Sequence, residues 1–458
     1  MRKSNDSRFY AIAWRWHFYA GLYVVPFLMM LAVTGLVMVF FTGFQSRLGA
    51  LVYVTPENKT QGVTVQAKAA LAHIPGATLK EYIAPKSPDL AAWFVLGHGG
   101  ATDAVAVNPY TAAVVKVVDK ENTLFSWAQK IHGKLLLGDV GGYLVEVAAG
   151  LGMVMIVTGL YLFWPRQTQR WFEALVPDWS ATGRKWWKSL HTSIGFWVSA
   201  VLFMFLLTGM SWSGVWGGKL VQPWGTFPAA KWDNVPKSDA THASLNSAGI
   251  RDVPWGLEQT PLPSSGPGAG TLGVAAGEAV NLDGAAALAN RLGFAGQFHI
   301  NVPQDETGVY TVSADTMSGD LENPFKDRTV HIDRYTGKVL AEAAYADYSL
   351  VAKGMAVGIA LHQGDVGLWS ALANVVFCLL IVLLCASGVV MWWVRRPKGR
   401  GRLGAPALPA QAPLWKGGAV VMVATAVLFP LAGAALVTVM LLDWLVISRF
   451  KAVKALVS

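Results

Sequence analysis

The sequence predicts a membrane α-helical bundle with internal duplication, in which two α+β domains outside the cytoplasm are inserted between helix pairs. Three observations predict it. The first is composition: of 458 residues, 53% are hydrophobic and only 14% are charged. That balance fits an integral membrane protein with sizeable soluble parts. The second is recurrence. Trp14-Arg15-Trp16-His17 opens an apolar run, and Trp186-Trp187-Lys188-Ser189-Leu190-His191 opens another. In each, a glycine follows (Gly21, Gly195), and a Thr-Gly pair (Thr34-Gly35, Thr208-Gly209) begins 17 residues after the histidine. The third is where the charge lies. The net charge of +9 would suit nucleic acid, but the basic residues crowd the ends of apolar runs: Arg2, Lys3, Arg8 and Arg15; then Arg166, Arg170, Arg184, Lys185 and Lys188; then Arg395, Arg396, Lys398, Arg400, Arg402 and Lys416. In short loops that pattern marks the cytoplasmic side.

In chain order, residues 1–42 hold a cytoplasmic N-terminus and a first span at 17–42. Trp14, Trp16, Tyr19 and Tyr23 form its interfacial belt, and Pro26 is tolerated within a bundle. The run is too long for a signal peptide and lacks a small-residue cleavage site, so it reads as a retained helix. Residues 43–126 form the first external domain. A helix is expected at 64–73, with strands at 80–83, 92–96, 104–107 and 113–118, and a turn at Asn108-Pro109-Tyr110-Thr111. Residues 127–164 follow. A helix at 124–137 carries His132, Gly138-Asp139-Val140-Gly141-Gly142 interrupts the chain, and a second span runs to Pro165-Arg166. A basic cytoplasmic loop at 165–190 leads to a third span at 191–216.

Residues 217–350 form the second external domain. It starts as a Pro-, Gly- and Ser-rich loop, then repeats the first: a helix at 282–292, strands at 297–302, 308–314 and 329–332, and the turn Asp333-Arg334-Tyr335-Thr336-Gly337. The turn with Gly337 is the better hairpin. Residues 351–394 carry His362 and a fourth span at 368–394. Gly-Asp-Val-Gly recurs here, but two residues after His362 rather than six after His132. A basic loop at 395–415 precedes a fifth span at 416–445, which contains Pro430, and the tail to 458. An odd number of spans places that tail outside, against which Arg449, Lys451 and Lys454 argue. Both halves have one orientation, so the repeat is parallel. Cys378 and Cys385 lie seven residues apart in one run, roughly 10 Å along a helix and too far for a disulfide; they read as packing residues.

Four histidines at the mouths of four duplicated helices carry the functional argument. His17 and His191 fall at the cytoplasmic face, His132 and His362 at the external face. Packed about an axis along the membrane normal, each pair converges. Two imidazoles between apolar helices suit the axial positions of a low-spin haem, and two such sites across the bilayer make an electron path. No Cys-x-x-Cys-His occurs, so each haem is non-covalent, of the b type. Zinc is disfavoured, because no carboxylate or cysteine stands at ligand spacing. The plain alternative is a histidine of the interfacial belt, which recurrence at matched positions weighs against. Arg15, Arg184, Lys185 and Lys188 are candidates for haem propionates at the inner site, and Lys130, Lys134 and Lys353 at the outer. Positive-inside anchoring explains the inner set equally well. Of the other histidines, His98 reads as a hairpin-turn residue, His73 and His242 as surface positions, and His299 and His331 as strand residues with a sheet-face role.

The hairpins at Asn108-Pro109-Tyr110-Thr111 and Asp333-Arg334-Tyr335-Thr336-Gly337 resemble the PepSY domain, with Arg334 where the family more often has proline. The His-led helices with Thr-Gly, the junctions Ile131-His132-Gly133 and Leu361-His362-Gln363, and Pro430-Leu431-Ala432-Gly433 resemble PepSY-associated transmembrane proteins. The match covers nearly the whole chain. It implies a bacterial inner-membrane protein with PepSY-like periplasmic domains, similar to iron-regulated members and to haem-carrying ferric-siderophore reductases. It implies His17, His191, His132 and His362 as axial haem ligands. Some relatives have fused flavodoxin-like and NADPH-binding domains; this chain has neither, so a separate cytoplasmic flavin or NAD(P)H reductase is the expected donor. A siderophore-bound Fe(III) in the periplasm is the expected acceptor. Trp93, Trp127, Trp212, Trp216, Trp224, Trp232 and Trp255 are candidates for its docking surface or for belt and core. Two other classes stay open: a membrane-anchored PepSY module that binds peptides or a protease, and a transporter. Against transport, the spans carry almost no charged or polar cluster.

Overall fold

The structure, a computed structural model, describes residues 2–164, 175–246, 251–266, 268–396, 403–406, 416–442, 445 and 449–450, with side chains from Arg8 onward. Pro165, Arg166, Arg170, Lys398, Arg400, Arg402, Lys451 and Lys454 lie outside these residues, and with them the start of the first expected basic loop and most of the second.

Among the described residues, four helices are long and apolar enough to cross a membrane: α1 (Arg2–Phe44), α4 (Gly138–Phe163), α5 (Gly183–Gly209) and α8 (Leu368–Arg395). All exceed the roughly 20 residues a 30 Å hydrocarbon core demands. Two of them start earlier than expected. Nothing between Arg2 and Trp16 breaks a helix, so α1 is continuous through it. α5 begins at Gly183, whose φ of +56° suits only glycine without strain. His17 and His191 therefore lie inside their helices rather than at the mouths.

The expected fifth span is not one helix. It is α9 (Lys416–Leu428) and α10 (Pro430–Leu442), each 13 residues, about 20 Å long and singly too short to span. Pro430 breaks the ladder. The bend is sharp enough that a Cβ on Gly433 would meet Ala426 Cα at 2.6 Å.

Between the spans lie α2 (Val63–His73), β1 (Thr78–Ile83), β2 (Ala92–His98), β3 (Ala101–Val107), β4 (Val114–Asp119) and α3 (Leu124–Lys134). The second insertion holds the short strands β5 (Lys237–Thr241), β6 (Pro261–Pro263) and β7 (Thr271–Gly273). It continues with α6 (Leu282–Arg291), β8 (His299–Asn301), β9 (Val309–Ala314), β10 (Arg328–Asp333), β11 (Lys338–Ala344) and α7 (Leu350–Gln363). The order helix then four strands occurs in both insertions. They do not form two domains, as expected, but one. Nine of these eleven strands make a single sheet, β4-β3-β2-β1-β8-β9-β10-β11-β7, and β5 and β6 pair separately. Its halves meet where β1 pairs antiparallel with β8, Tyr82 opposite Ile300 and Ile83 opposite His299. One core serves both: Phe94, Leu96, Val105, Ile300, Val312, Val330 and Ile332 bury against the helices α2 and α6.

By compactness the chain divides into two units. One comprises Met1–Leu36, Ile131–Leu220 and Val375–Ser458, and the other Val37–Lys130 and Val221–Asn374.

The helix junctions explain the offset of Gly-Asp-Val-Gly. In the first copy, Leu135 and Leu136 take positive φ and turn the chain after α3. The motif then forms the first turn of α4, where a Cβ on Gly141 would fall 1.8 Å from the Lys134 carbonyl oxygen. In the second copy Gly364 (φ +81°) ends α7 and Gly367 (φ +83°) precedes α8, so the motif is the whole loop. Its Asp365 is buried and pairs with Arg47 at 2.8 Å, whereas Asp139 pairs with Lys134 in solvent.

Candidate functional site

In the helical unit the structure brings His17 and His191 together, with ring centroids 6.4 Å apart and planes perpendicular. Each is anchored by the helix opposite. His17 Nδ1 lies 3.0 Å from Thr158 Oγ1 on α4. His191 Nδ1 lies 2.9 Å from Ser387 Oγ and 3.2 Å from the Leu384 carbonyl on α8. A glycine follows each hydroxyl and admits the ring: a Cβ on Gly159 would meet His17 Cε1 at 3.2 Å, and one on Gly388 would meet His191 Cε1 at 3.4 Å.

His132 repeats the pattern. Its Nδ1 lies 2.8 Å from Thr34 Oγ1 on α1, with Gly35 beside the ring. α1 thus serves twice: it supplies His17 to Thr158 on α4 and receives His132 from α3. The Thr34-Gly35 pair, legible as a repeat marker, is the seat of a histidine. Thr158-Gly159 and Ser387-Gly388 were missed by the sequence reading, although they are the same hydroxyl–glycine signal on the other two spans. His362 sits in the last turn of α7, in the sheet-bearing unit. There Asn374 Nδ2 donates to its carbonyl and to that of Leu361, each at 2.9 Å. Gly21 and Gly195 are packing positions, where an added Cβ would only touch Met155 or Leu384.

The basic candidates divide. Arg15 reaches the Pro406 carbonyl at 2.6 Å and lies over the Tyr19 ring. Arg395, read in the sequence only as part of a basic span end, lies over the Trp14 and Phe18 rings. Arg184, Lys185 and Lys188 are exposed. Lys134 is held by Asp139, Lys130 by the Glu121 carbonyl and Lys353 by the Ala346 carbonyl. Glu146, a carboxylate within a span, accepts from the Val215 and Trp216 amides at 3.0 Å each, which caps the chain where it leaves α5. Among the described residues, no three His, Cys, Asp or Glu side chains converge as ion ligands.

The sheet unit holds a second concentration of polar groups. His299 bridges Glu81 at 2.7 Å and Asp320 at 3.1 Å. Lys120 pairs with Asp252 at 2.9 Å and approaches Glu81 at 3.9 Å. Burial alone would push the His299 imidazole down, but the Asp320 and Glu81 carboxylates outweigh it and hold the value well above the usual 6.5. His242, expected at the surface, is buried. Its Nδ1 donates to the Thr260 carbonyl at 2.7 Å and its Nε2 lies 3.0 Å from His331 Nε2, because the loop before β6 folds over the sheet face. Burial holds His242 down at about 4. His98 does occupy a hairpin end, against Asp103. Of the seven external tryptophans, Trp93, Trp216, Trp232 and Trp255 are buried and only Trp127 and Trp224 are exposed. Most of the expected docking surface is therefore core.

No curated protein matches the chain. The family model of the PepSY-associated TM region matches residues 14–395, which takes in four spanning helices, both insertions and His17, His132, His191 and His362. With the spans, the helix-plus-four-strand insertions and the Tyr-Thr hairpins in place, the chain belongs to the family of the PepSY-associated TM region.

Proposed function

We propose that this membrane protein is a di-haem b oxidoreductase that carries electrons from a cytoplasmic donor to a periplasmic acceptor, siderophore-bound Fe(III), in the inner membrane. The observation that carries the reading is the His17–His191 pair. An imidazole nitrogen binds a first-row metal at roughly 2 Å, so two imidazoles on opposite sides of one metal have centroids roughly 6 Å apart. The observed separation is 6.4 Å, with both Nδ1 atoms engaged elsewhere. His17 and His191 would hold one haem and, on their matched sequence positions, His132 and His362 the other. Arg15, with Arg395, is placed to neutralise propionates near His17. A bis-imidazole haem supplies a one-electron carrier that needs no open coordination position. The protein's residues would hold the ligands and exclude water. Reduction would release the metal, because Fe(II) binds hard oxygen chelators far more weakly than Fe(III).

The test is the visible spectrum and haem content of the purified chain. Two acid-acetone-extractable haems are expected, with His17→Ala and His191→Ala each removing the same one, and His132→Ala and His362→Ala the other. A colourless protein from haem-replete cells would sink the proposal. So would His17→Ala and His132→Ala removing the same haem.

A further inference from the structure

Three histidines share one arrangement, and its hydrogen-bond direction can be worked out. A threonine or serine hydroxyl has a single proton to give. Thr158 Oγ1 gives its proton to the Val154 carbonyl at 2.8 Å, Thr34 Oγ1 to the Met30 carbonyl at 2.8 Å and Ser387 Oγ to the Leu384 carbonyl at 2.7 Å. Each hydroxyl is thereby committed to its own helix and meets the histidine with a lone pair. The imidazole must then donate from Nδ1. For His191 the Leu384 carbonyl, which can only accept, imposes the same direction. All three rings are fixed as the Nδ1–H tautomer, with the lone pair on Nε2.

We infer that Thr158, Ser387 and Thr34 are positioning residues that set the tautomer of His17, His191 and His132, so that each Nε2 is ready to ligate a metal. The inference rests on the haem reading above and deepens it. It explains features that a merely buried histidine does not need. Three separate helix pairs use one device, each time a hydroxyl followed by a glycine. At Gly159 an added Cβ would stand 3.2 Å from His17 Cε1 and at Gly388 3.4 Å from His191 Cε1, so the bare glycine eases the close approach of each ring. A partner on the second ring nitrogen is how proteins orient a ligating histidine. Here that partner is a neutral hydroxyl rather than a carboxylate, so the ligand stays a neutral imidazole and adds no charge within the span.

The test titrates haem into full-length protein purified from haem-depleted cells, reading affinity and the low-spin ferric electron paramagnetic resonance signal. Thr158→Val and Ser387→Ala should each weaken the site of His17 and His191 by roughly 10–100-fold, shift its signal and leave the other haem untouched. Thr34→Val should do the reverse. Thr158→Ser, which keeps the hydroxyl and loses a methyl group, should restore both affinity and signal. The inference is overturned if wild-type protein takes up two haems and Thr158→Val takes up two with unchanged affinity and signal. It is overturned equally if Thr158→Ser fails as badly as Thr158→Val, since the role would then be packing. A wild-type protein that takes up no haem would instead remove the functional reading and this inference with it.

Discussion

A histidine has two ring nitrogens to satisfy, and those of this chain do so in opposite ways. His299 gives both to carboxylates, Glu81 and Asp320, and is held as a cation. His242 gives one to the Thr260 carbonyl and shares the other with His331, so both stay neutral. The pH consequences are opposite in sign. The folded value of His299 lies above its unfolded value of about 6.5, so the folded protein binds that proton more tightly. Its contribution to stability is full below about 6.5 and is lost as pH rises through the raised folded value. His299→Gln should therefore lower stability by about 3 kcal/mol near pH 6, because it leaves a buried carboxylate without its cation. The gap from wild type should close as pH rises. Thermal unfolding in detergent at pH 6 and pH 10 checks this, and a gap that widened with pH would contradict it. His17, His132, His191 and His362 stood out in the sequence because recurrence marks them without any structure. Thr158 and Ser387 were not: their hydroxyl–glycine pairs match Thr34-Gly35, but they lie 141 and 196 residues from the histidines they hold, and nothing local links the two. His242 was misread because its burial comes from a loop folding over the sheet, which no local pattern announces.

At the scale of elements, the two Tyr-Thr hairpins differ at three positions, Asn108 against Asp333, Pro109 against Arg334 and Ala112 against Gly337, and the last carries a cost. Asn108 and Asp333 each accept from the amides that follow, making the same side-chain-capped turn. The closing residue is left-handed in both, Ala112 at φ +56° and Gly337 at φ +66°. Alanine there costs about 1–2 kcal/mol. Ala112→Gly should accordingly stabilise the protein by roughly 1 kcal/mol. Gly337→Ala should destabilise it by more, because the new Cβ would also meet Val274 at 2.8 Å. Melting temperatures of the two variants decide it; a loss on Ala112→Gly would show that the turn does not bear that strain. The helices and hairpins were readable because periodicity and turn chemistry are local. The union of the insertions was not. Its one seam is β1 against β8, and the Lys80-Glu81-Tyr82-Ile83 stretch gives no sign that Glu81 will be buried beneath His299. The fifth run misled for a related reason: its apolar length suits a span, and only Pro430 hints that it is broken.

For the molecule as a whole, the charge pattern predicts sidedness. With a cytoplasmic N-terminus, a single cysteine at Ser180 should react only from the cytoplasm, and one at Asp119 or Ser244 only from outside. All three positions are exposed, and the native Cys378 and Cys385 are buried and would stay silent. Labelling of right-side-out and inverted vesicles reads this directly, and reversal would overturn the proposed direction of electron flow. The continuous sheet also sets a timetable. Glu81 and His299, which face each other across the β1–β8 seam, are 218 residues apart in the chain. At the usual pace of synthesis that is roughly 10–40 seconds. Throughout that interval β1 stands at the end of a half-built sheet, its ladder groups unpaired and an acidic side chain waiting for its cation. An exposed strand edge of that kind pairs readily with a neighbouring copy. The newborn first half thus passes through a window in which two ribosomes on one message can mispair their products, and a nascent-chain chaperone at the membrane exit has a defined strand to guard.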